Sequence, residues 1–223
     1  MSDLYGFDLD DAIESGQCVL CHVVARAERR WLDSFWREGR RDPSARQKFY
    51  AAGGFCRRHA WLLQELVASA GTGAPIADVY GALANRDLPI LDTVIEGLDR
   101  PLRSPARRLR RPKPCPACAD AAEAERRKAH FLLEMLAQPP ARNRYRRSGG
   151  LCFSHLRLVL EESSGDAELR RFVARDFRRR LDDLRRRLEA YERSRDHRYR
   201  GTADSAALAS WTDVVRLYAG EQP

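Results

Sequence analysis

Three thiols and one imidazole occur twice in this chain at nearly the same spacing. Cys18-x-x-Cys21 is followed, after 34 intervening residues, by Cys56-x-x-His59; Cys115-x-x-Cys118 is followed, after 33 intervening residues, by Cys152-x-x-His155. These eight positions use all six cysteines of the chain and two of its five histidines. Three cysteines and one histidine make a closed tetrahedral zinc set, with about 2.3 Å from metal to each sulfur. A Cys-x-x-Cys turn brings two sulfurs to one ion. Cys56 and His59, like Cys152 and His155, sit three apart on one face of a helical turn. The expectation is two zinc ions per chain, one held within each copy, with each copy closing a helical hairpin at its metal.

Other uses of six cysteines fit less well. Disulfide pairing belongs to oxidising compartments. The chain opens Met1-Ser2-Asp3-Leu4-Tyr5-Gly6, without the basic and apolar run of a secretory signal, so a cytoplasmic location is expected. Cys18-Val19-Leu20-Cys21-His22 matches the haem-attachment pattern, but the second copy has Ala119 at the histidine position. Cys115-Pro116-Ala117-Cys118 resembles a thiol redox pair but lacks the strand–helix context of one. An iron–sulfur cluster with one histidine ligand is the alternative to zinc. His22, His130 and His197 read as ordinary surface histidines.

The repeat reaches beyond the ligands. A shift of 97 residues lays Ala27-Glu28-Arg29-Arg30 on Ala124-Glu125-Arg126-Arg127. After one deletion, Gly53-Gly54-Phe55-Cys56 matches Gly149-Gly150-Leu151-Cys152. This is an internal duplication of a unit of roughly 45 residues.

The elements that must position these groups read as helices throughout. Helices are expected over 8–15, 21–38, 43–52, 56–70, 75–99, 116–137, 140–147, 152–163, 166–197 and 203–219. Asp42-Pro43 marks a capped start, and Pro89 should interrupt the fifth helix. The fold class is therefore all-α: duplicated helical hairpin units, each closed by a Cys3His site, plus a long C-terminal amphipathic helix. The expected organisation is a first metal-binding unit over 1–99, a basic proline-rich linker over 100–114, and a second unit over 115–223. In the helix 166–197, Leu169, Val173, Phe177, Leu181, Leu184, Leu188 and Tyr191 form a heptad-like seam, to be covered by the core or by a second copy. Trp31, Phe35, Trp36 and Trp61 read as core aromatics rather than a stacking platform.

Charge divides the chain. Residues 1–99 hold 11 basic against 15 acidic side chains, and residues 100–223 hold 29 against 17. Seven basic residues and four prolines crowd 100–114, and Arg103, Arg107, Arg108, Arg110 and Arg111 are candidates for contacts to nucleic-acid phosphates. No apolar run reaches the length of a membrane span. Nor is there a His-Glu-x-x-His helix, a phosphate-binding glycine loop, a Gly-x-Ser-x-Gly elbow or a dinucleotide fingerprint. Four protein ligands leave no open metal position, so a non-catalytic role is expected.

The paired motifs, carried by Cys18, Cys21, Gly54, Phe55, Cys56 and His59 and by Cys115, Pro116, Cys118, Gly150, Leu151, Cys152 and His155, resemble those of an uncharacterised prokaryotic family of helical proteins, a domain of unknown function. The resemblance covers roughly residues 15–165 and implies a helical metal-binding fold, with no activity or substrate attached. The resulting expectation is a zinc-stabilised helical interaction protein, joined to an unknown protein partner or to itself through the C-terminal helix. The alternatives are a nucleic-acid-binding protein using the basic second half, and an iron–sulfur redox or oxygen sensor.

Overall fold

In the computed structural model, residues 3–96, 113–163 and 165–221 are described. They form ten α-helices and no strand: α1 Asp3–Glu14, α2 Val19–Arg37, α3 Pro43–Ala51, α4 Arg57–Ser69, α5 Ala74–Glu96, α6 Pro116–Leu136, α7 Pro139–Arg147, α8 Phe153–Glu162, α9 Ala167–Ser194 and α10 Ser205–Ala219. Short 3-10 turns lie at Gly39–Arg41 and His197–Tyr199. Arg103, Arg107, Arg108, Arg110 and Arg111 lie outside the described residues.

Local chemistry accounts for the boundaries. The Asp42 carboxylate accepts from the Ser44 amide at 2.9 Å, with Pro43 opening α3. Asp166 and Asp204 cap α9 and α10 in the same way. The expected break at Pro89 does not occur, and α5 runs through it. A proline withholds one amide from the carbonyl four residues earlier. Here that residue is Asn85, and both Asn85 and Pro89 are exposed, where water can serve the freed oxygen.

Two compact units result, Met1–Ala25 with Ala124–Pro223, and Arg26–Glu123. Both boundaries fall inside long helices, α2 and α6, so each unit contains parts of both repeat copies. In the larger unit, Leu20, Leu132, Leu136, Tyr145, Leu151, Val159 and Val173 form the core. The smaller unit is built on Leu32, Phe35, Phe49, Phe55, Leu63 and Val67. Its rings meet largely edge-on, Phe35–Phe55 and Phe49–Phe55 each at 5.0 Å between centroids. Trp31 and Trp36 pack against this cluster, as expected of core aromatics, whereas Trp61 is 63% exposed.

The α9 seam is used inside the larger unit. Leu169, Val173, Phe177 and Leu184 are buried, and α8 and α10 pack on α9. Lys128, which replaces Trp31 in the second copy, is buried too, its ammonium 3.1 Å from the Asp8 carboxylate.

Candidate metal centres

Each Cys-x-x-Cys pair sits where a helix begins. Cys18 immediately precedes α2 and Cys115 immediately precedes α6. Cys56 and Cys152 are the N-cap residues of α4 and α8, in extended conformation and with no side-chain cap bond. A helix N-terminus carries partial positive charge and unpaired amides, which favours thiolate over thiol. The glycine pair before each Cys-x-x-His makes the turn. Gly53, Gly54 and Gly150 adopt positive φ. A Cβ at Gly149 would collide with the carbonyl oxygens of Gly16 and Gln17, so the chain passes there only as glycine.

The eight ligands converge, but crosswise. Cys18 and Cys21 meet Cys152 and His155; Cys56 and His59 meet Cys115 and Cys118. In each group one atom per residue lies within 4.8 Å of all the others. The expectation that each copy holds its own metal is therefore corrected: each group takes its Cys-x-x-Cys from one copy and its Cys-x-x-His from the other. The cause lies in helix lengths. Cys21 lies in the first turn of α2, and Glu28, whose carboxylate faces His59, comes seven residues later. Seven residues of helix span about 10 Å. The nine residues of α3 do not return the chain over the full length of the 19-residue α2. The second copy repeats this with Cys118 and Glu125 on α6.

Around the first group the His155 Nδ1 lies 3.3, 3.4 and 3.1 Å from the Sγ atoms of Cys18, Cys21 and Cys152, and the Cys21 and Cys152 sulfurs are 3.8 Å apart. In the second, the His59 Nδ1 lies 3.3, 3.6 and 3.3 Å from Cys56, Cys115 and Cys118, and the Cys56 and Cys118 sulfurs are 3.6 Å apart. A tetrahedral ion with metal–sulfur bonds of about 2.3 Å and a metal–nitrogen bond of about 2.0 Å sets S–S edges near 3.8 Å and S–N edges near 3.5 Å. Both groups have the size of a single-ion site.

Behind each imidazole stands a glutamate. The His155 Nε2 is 2.9 Å from the Glu125 Oε1, and the His59 Nε2 is 3.4 Å from the Glu28 Oε1, whose other oxygen pairs with Arg58. With Nδ1 turned to the sulfurs, Nε2 carries the proton toward the carboxylate, the usual support of a metal-binding histidine. Glu28 and Glu125 occupy the same position in the duplicated Ala-Glu-Arg-Arg segment; that duplication is the sequence signal for them, and ligand spacing alone does not reveal it.

The groups differ in shielding. Cys18, Cys152 and His155 are buried, and the end of α10 covers this group: the Glu221 amide donates to the Cys21 Sγ at 3.5 Å, and the Glu221 carboxylate accepts from the Cys18 amide at 3.2 Å. The Cys152 amide donates to the Cys18 Sγ at 3.2 Å. In the other group His59 is buried and Cys118 is exposed.

Proton affinities within the groups are strongly split. The hydrogen bonds from Cys18 and Cys21, with support from His155, hold Cys152 far below the usual thiol range. Sharing with Cys152 pushes Cys18 well above it. Burial opposes ionisation of Cys115, yet the His59 hydrogen bond together with backbone hydrogen bonds from Cys56, Cys118 and Ala117 outweighs it and lowers Cys115 to about 6. Burial, then Cys56, pushes Cys118 up to about 12. Cys115 and then Glu28 raise His59 to about 10. For His155, burial opposes the charge but Cys152, Cys21 and Glu125 prevail, raising it to about 11. Each group thus pairs a thiolate with an imidazolium and keeps another thiol protonated. Such a pocket exchanges its protons for a cation.

The other histidines stand apart. The His22 Nδ1 meets the Gln17 Oε1 at 3.0 Å, His130 pairs with Glu134, and His197 with Asp196. Among the described residues, no helix is long and apolar enough to cross a membrane.

No curated protein and no solved structure matches the chain. Residues 1–204 match the family of unknown function DUF6062, and the protein belongs to that family.

Proposed function

We propose that the chain is a zinc-stabilised helical interaction protein in which two Cys3His sites hold structural ions. The observation that carries this reading is the closed ligand set. Three sulfurs and one nitrogen lie at single-ion spacing, with a carboxylate behind each imidazole and no protein-free position for a reacting water. The compact ligand spacing favours one ion over an iron–sulfur cluster, because cluster ligands bind separate irons bridged by sulfide. Zinc–thiolate ligation by six unpaired cysteines fits a reducing, cytoplasmic setting. The eight metal residues are Cys18, Cys21, Cys152 and His155, and Cys56, His59, Cys115 and Cys118.

An interaction role is supported by α10. Leu208, Trp211, Val215 and Tyr218, spaced three, four and three residues apart, are each more than half exposed, and Phe153 stacks on Tyr218. With the α9 seam buried, this face replaces it as the surface for a protein partner or a second copy.

The basic second half supports a second reading, nucleic-acid binding, because clefts between α7 and α9 collect guanidinium groups. The proposal is tested by elemental analysis and visible absorption of anaerobically purified protein, followed by chelation under circular dichroism. Two zinc ions, no colour and loss of helicity on chelation are expected. Iron with sulfide and a brown chromophore, or helicity indifferent to chelation, overturns the reading.

A further inference from the structure

The helices α7 and α9 of the larger unit wall two adjoining clefts. One, of about 400 Å³, contains Arg146, Arg171, Phe172, Arg175 and Arg179. The other, of about 380 Å³, shares Arg146 and Arg179 and adds Arg147. Counting which cations are already neutralised separates fold from function. Glu168 is held by Arg142 at 2.6 Å. Asp176 is held by Arg179 at 2.7 Å and by Arg180 at 2.6 Å, and the Arg180 guanidinium also donates to the Tyr145, Arg146 and Ser148 carbonyls. Asp183 and Asp213 are held by Arg187. Those arginines tie α9 to α7 and α10.

Arg146, Arg147, Arg171 and Arg175 remain. All four are exposed, and none has a carboxylate partner among the described residues. Arg171 and Arg175 lie one turn apart on α9, their Cβ atoms roughly 5–6 Å from each other. At the end of α7, Arg146 lines both clefts and Arg147 the adjoining one. The Phe172 ring is covered by the guanidinium groups of Arg142 and Arg146, each 5.3 Å from its centroid. Arg146, Arg171 and Arg175 line the first cleft and Arg147 the adjoining one, so that four cations without a carboxylate partner among the described residues collect along this concave surface and favour an anion there. Guanidinium matches phosphate oxygens two at a time. A half-buried ring flanked by guanidinium groups is the kind of surface on which unpaired bases rest.

We propose that the α7–α9 groove binds a single-stranded nucleic acid, its phosphates on Arg146, Arg147, Arg171 and Arg175 and a base on the Phe172–arginine stack. The site is distinct from the linker arginines and does not depend on which metal the Cys3His groups hold. The concave, ring-floored shape suits a flexible strand rather than a duplex, which carries its bases inside.

The test is fluorescence anisotropy of a labelled mixed-sequence 20-nucleotide RNA, and of the DNA of the same sequence, with the full metal-loaded chain between 50 and 300 mM salt. Each phosphate contact contributes about −0.7 to the slope of log affinity against log salt for a single strand. Arg171→Ala/Arg175→Ala should therefore flatten the slope by about 1.4, with helicity unchanged because neither side chain has an ion-pair partner among the described residues. Phe172→Leu keeps an apolar side chain against Tyr145 and should weaken binding at least fivefold, with the slope intact, since base stacking contributes about 1 kcal/mol or more. Preference for duplex over single strand, an unchanged slope in the double arginine variant, loss confined to a variant with Arg103, Arg107, Arg108, Arg110 and Arg111 replaced by Ala, or no binding at 50 mM salt would each overturn the proposal.

Discussion

Replacing Glu28 by Gln isolates the carboxylate behind His59 with almost no change of shape. With a metal on Nδ1, the His59 Nε2–H points at the Glu28 Oε1, 3.4 Å away. The negative charge there holds the ring in place and strengthens its donation to the ion. Gln retains a carbonyl acceptor but not the charge. Loss of such support costs 10- to 100-fold in metal affinity, about 1.4–2.8 kcal/mol. The two sites allow a ranking. Glu125 is closer to its histidine, at 2.9 Å, but its side chain is 34% exposed against 3% for Glu28. Coulomb energy scales inversely with distance, so half an ångström changes it by about 15%, whereas the effective dielectric differs severalfold between a wet and a buried site. Burial decides, and Glu28→Gln should lie near the top of the range and Glu125→Gln near the bottom. Arg58, half exposed, hydrates when Glu28 is neutralised and adds little. Competition titration with a chromophoric chelator resolves the two release steps. One step should shift strongly in Glu28→Gln and the other weakly in Glu125→Gln. Equal shifts, or the reverse order, refute the reasoning.

Other consequences follow from the same geometry. Lys128→Ala removes the ammonium beside the buried Asp8 carboxylate and should lower the urea midpoint, while Asp8→Leu/Lys128→Met should recover most of the loss; an unchanged midpoint for the single variant contradicts a desolvated pair. The group with exposed Cys118 should release its metal first, so limited chelator with an alkylating agent should modify Cys118 before the shielded Cys18 and Cys152, as read by mass spectrometry. Metal binds deprotonated ligands, and in the metal-free protein His59 and Cys118 titrate at about 10 and about 12. At least these two protons must leave near neutrality, so the affinity of this site should fall by at least about 100-fold per pH unit on acidification from pH 8 to 7, tenfold for each proton displaced; a pH-independent affinity would show that the ligands are already ionised.

The eight clustering residues were legible because their chemistry resides in residue type and short spacing. Every cysteine of the chain falls into the two groups, and the Asp42-Pro43 start and most helix ends followed from capping and periodicity. The pairing of the half-sites was not legible, since separation along the chain says nothing of which half-site a long helix carries out of reach. Expected helix lengths held a clue: the nine residues of α3 retrace only part of a helix as long as α2, so the Cys-x-x-His half-site need not meet the first turn of its own copy. Glu28 and Glu125 were visible as a repeated segment, but a repeat does not say what a carboxylate faces. The α9 seam has the pattern of a dimer contact, and only tertiary packing shows α8 and α10 lying against it. Pro89 misled in the opposite sense, because its cost depends on whether water reaches the carbonyl it frees.

Counting metal in two double variants tests the crossed pairing most directly. Cys18→Ser/Cys152→Ser removes two ligands from one site and should leave one ion per chain, whereas Cys18→Ser/Cys56→Ser damages both sites and should leave none. The reverse result, no metal in the first variant and one ion in the second, would mean that each copy of the repeat holds its own metal and would contradict the account.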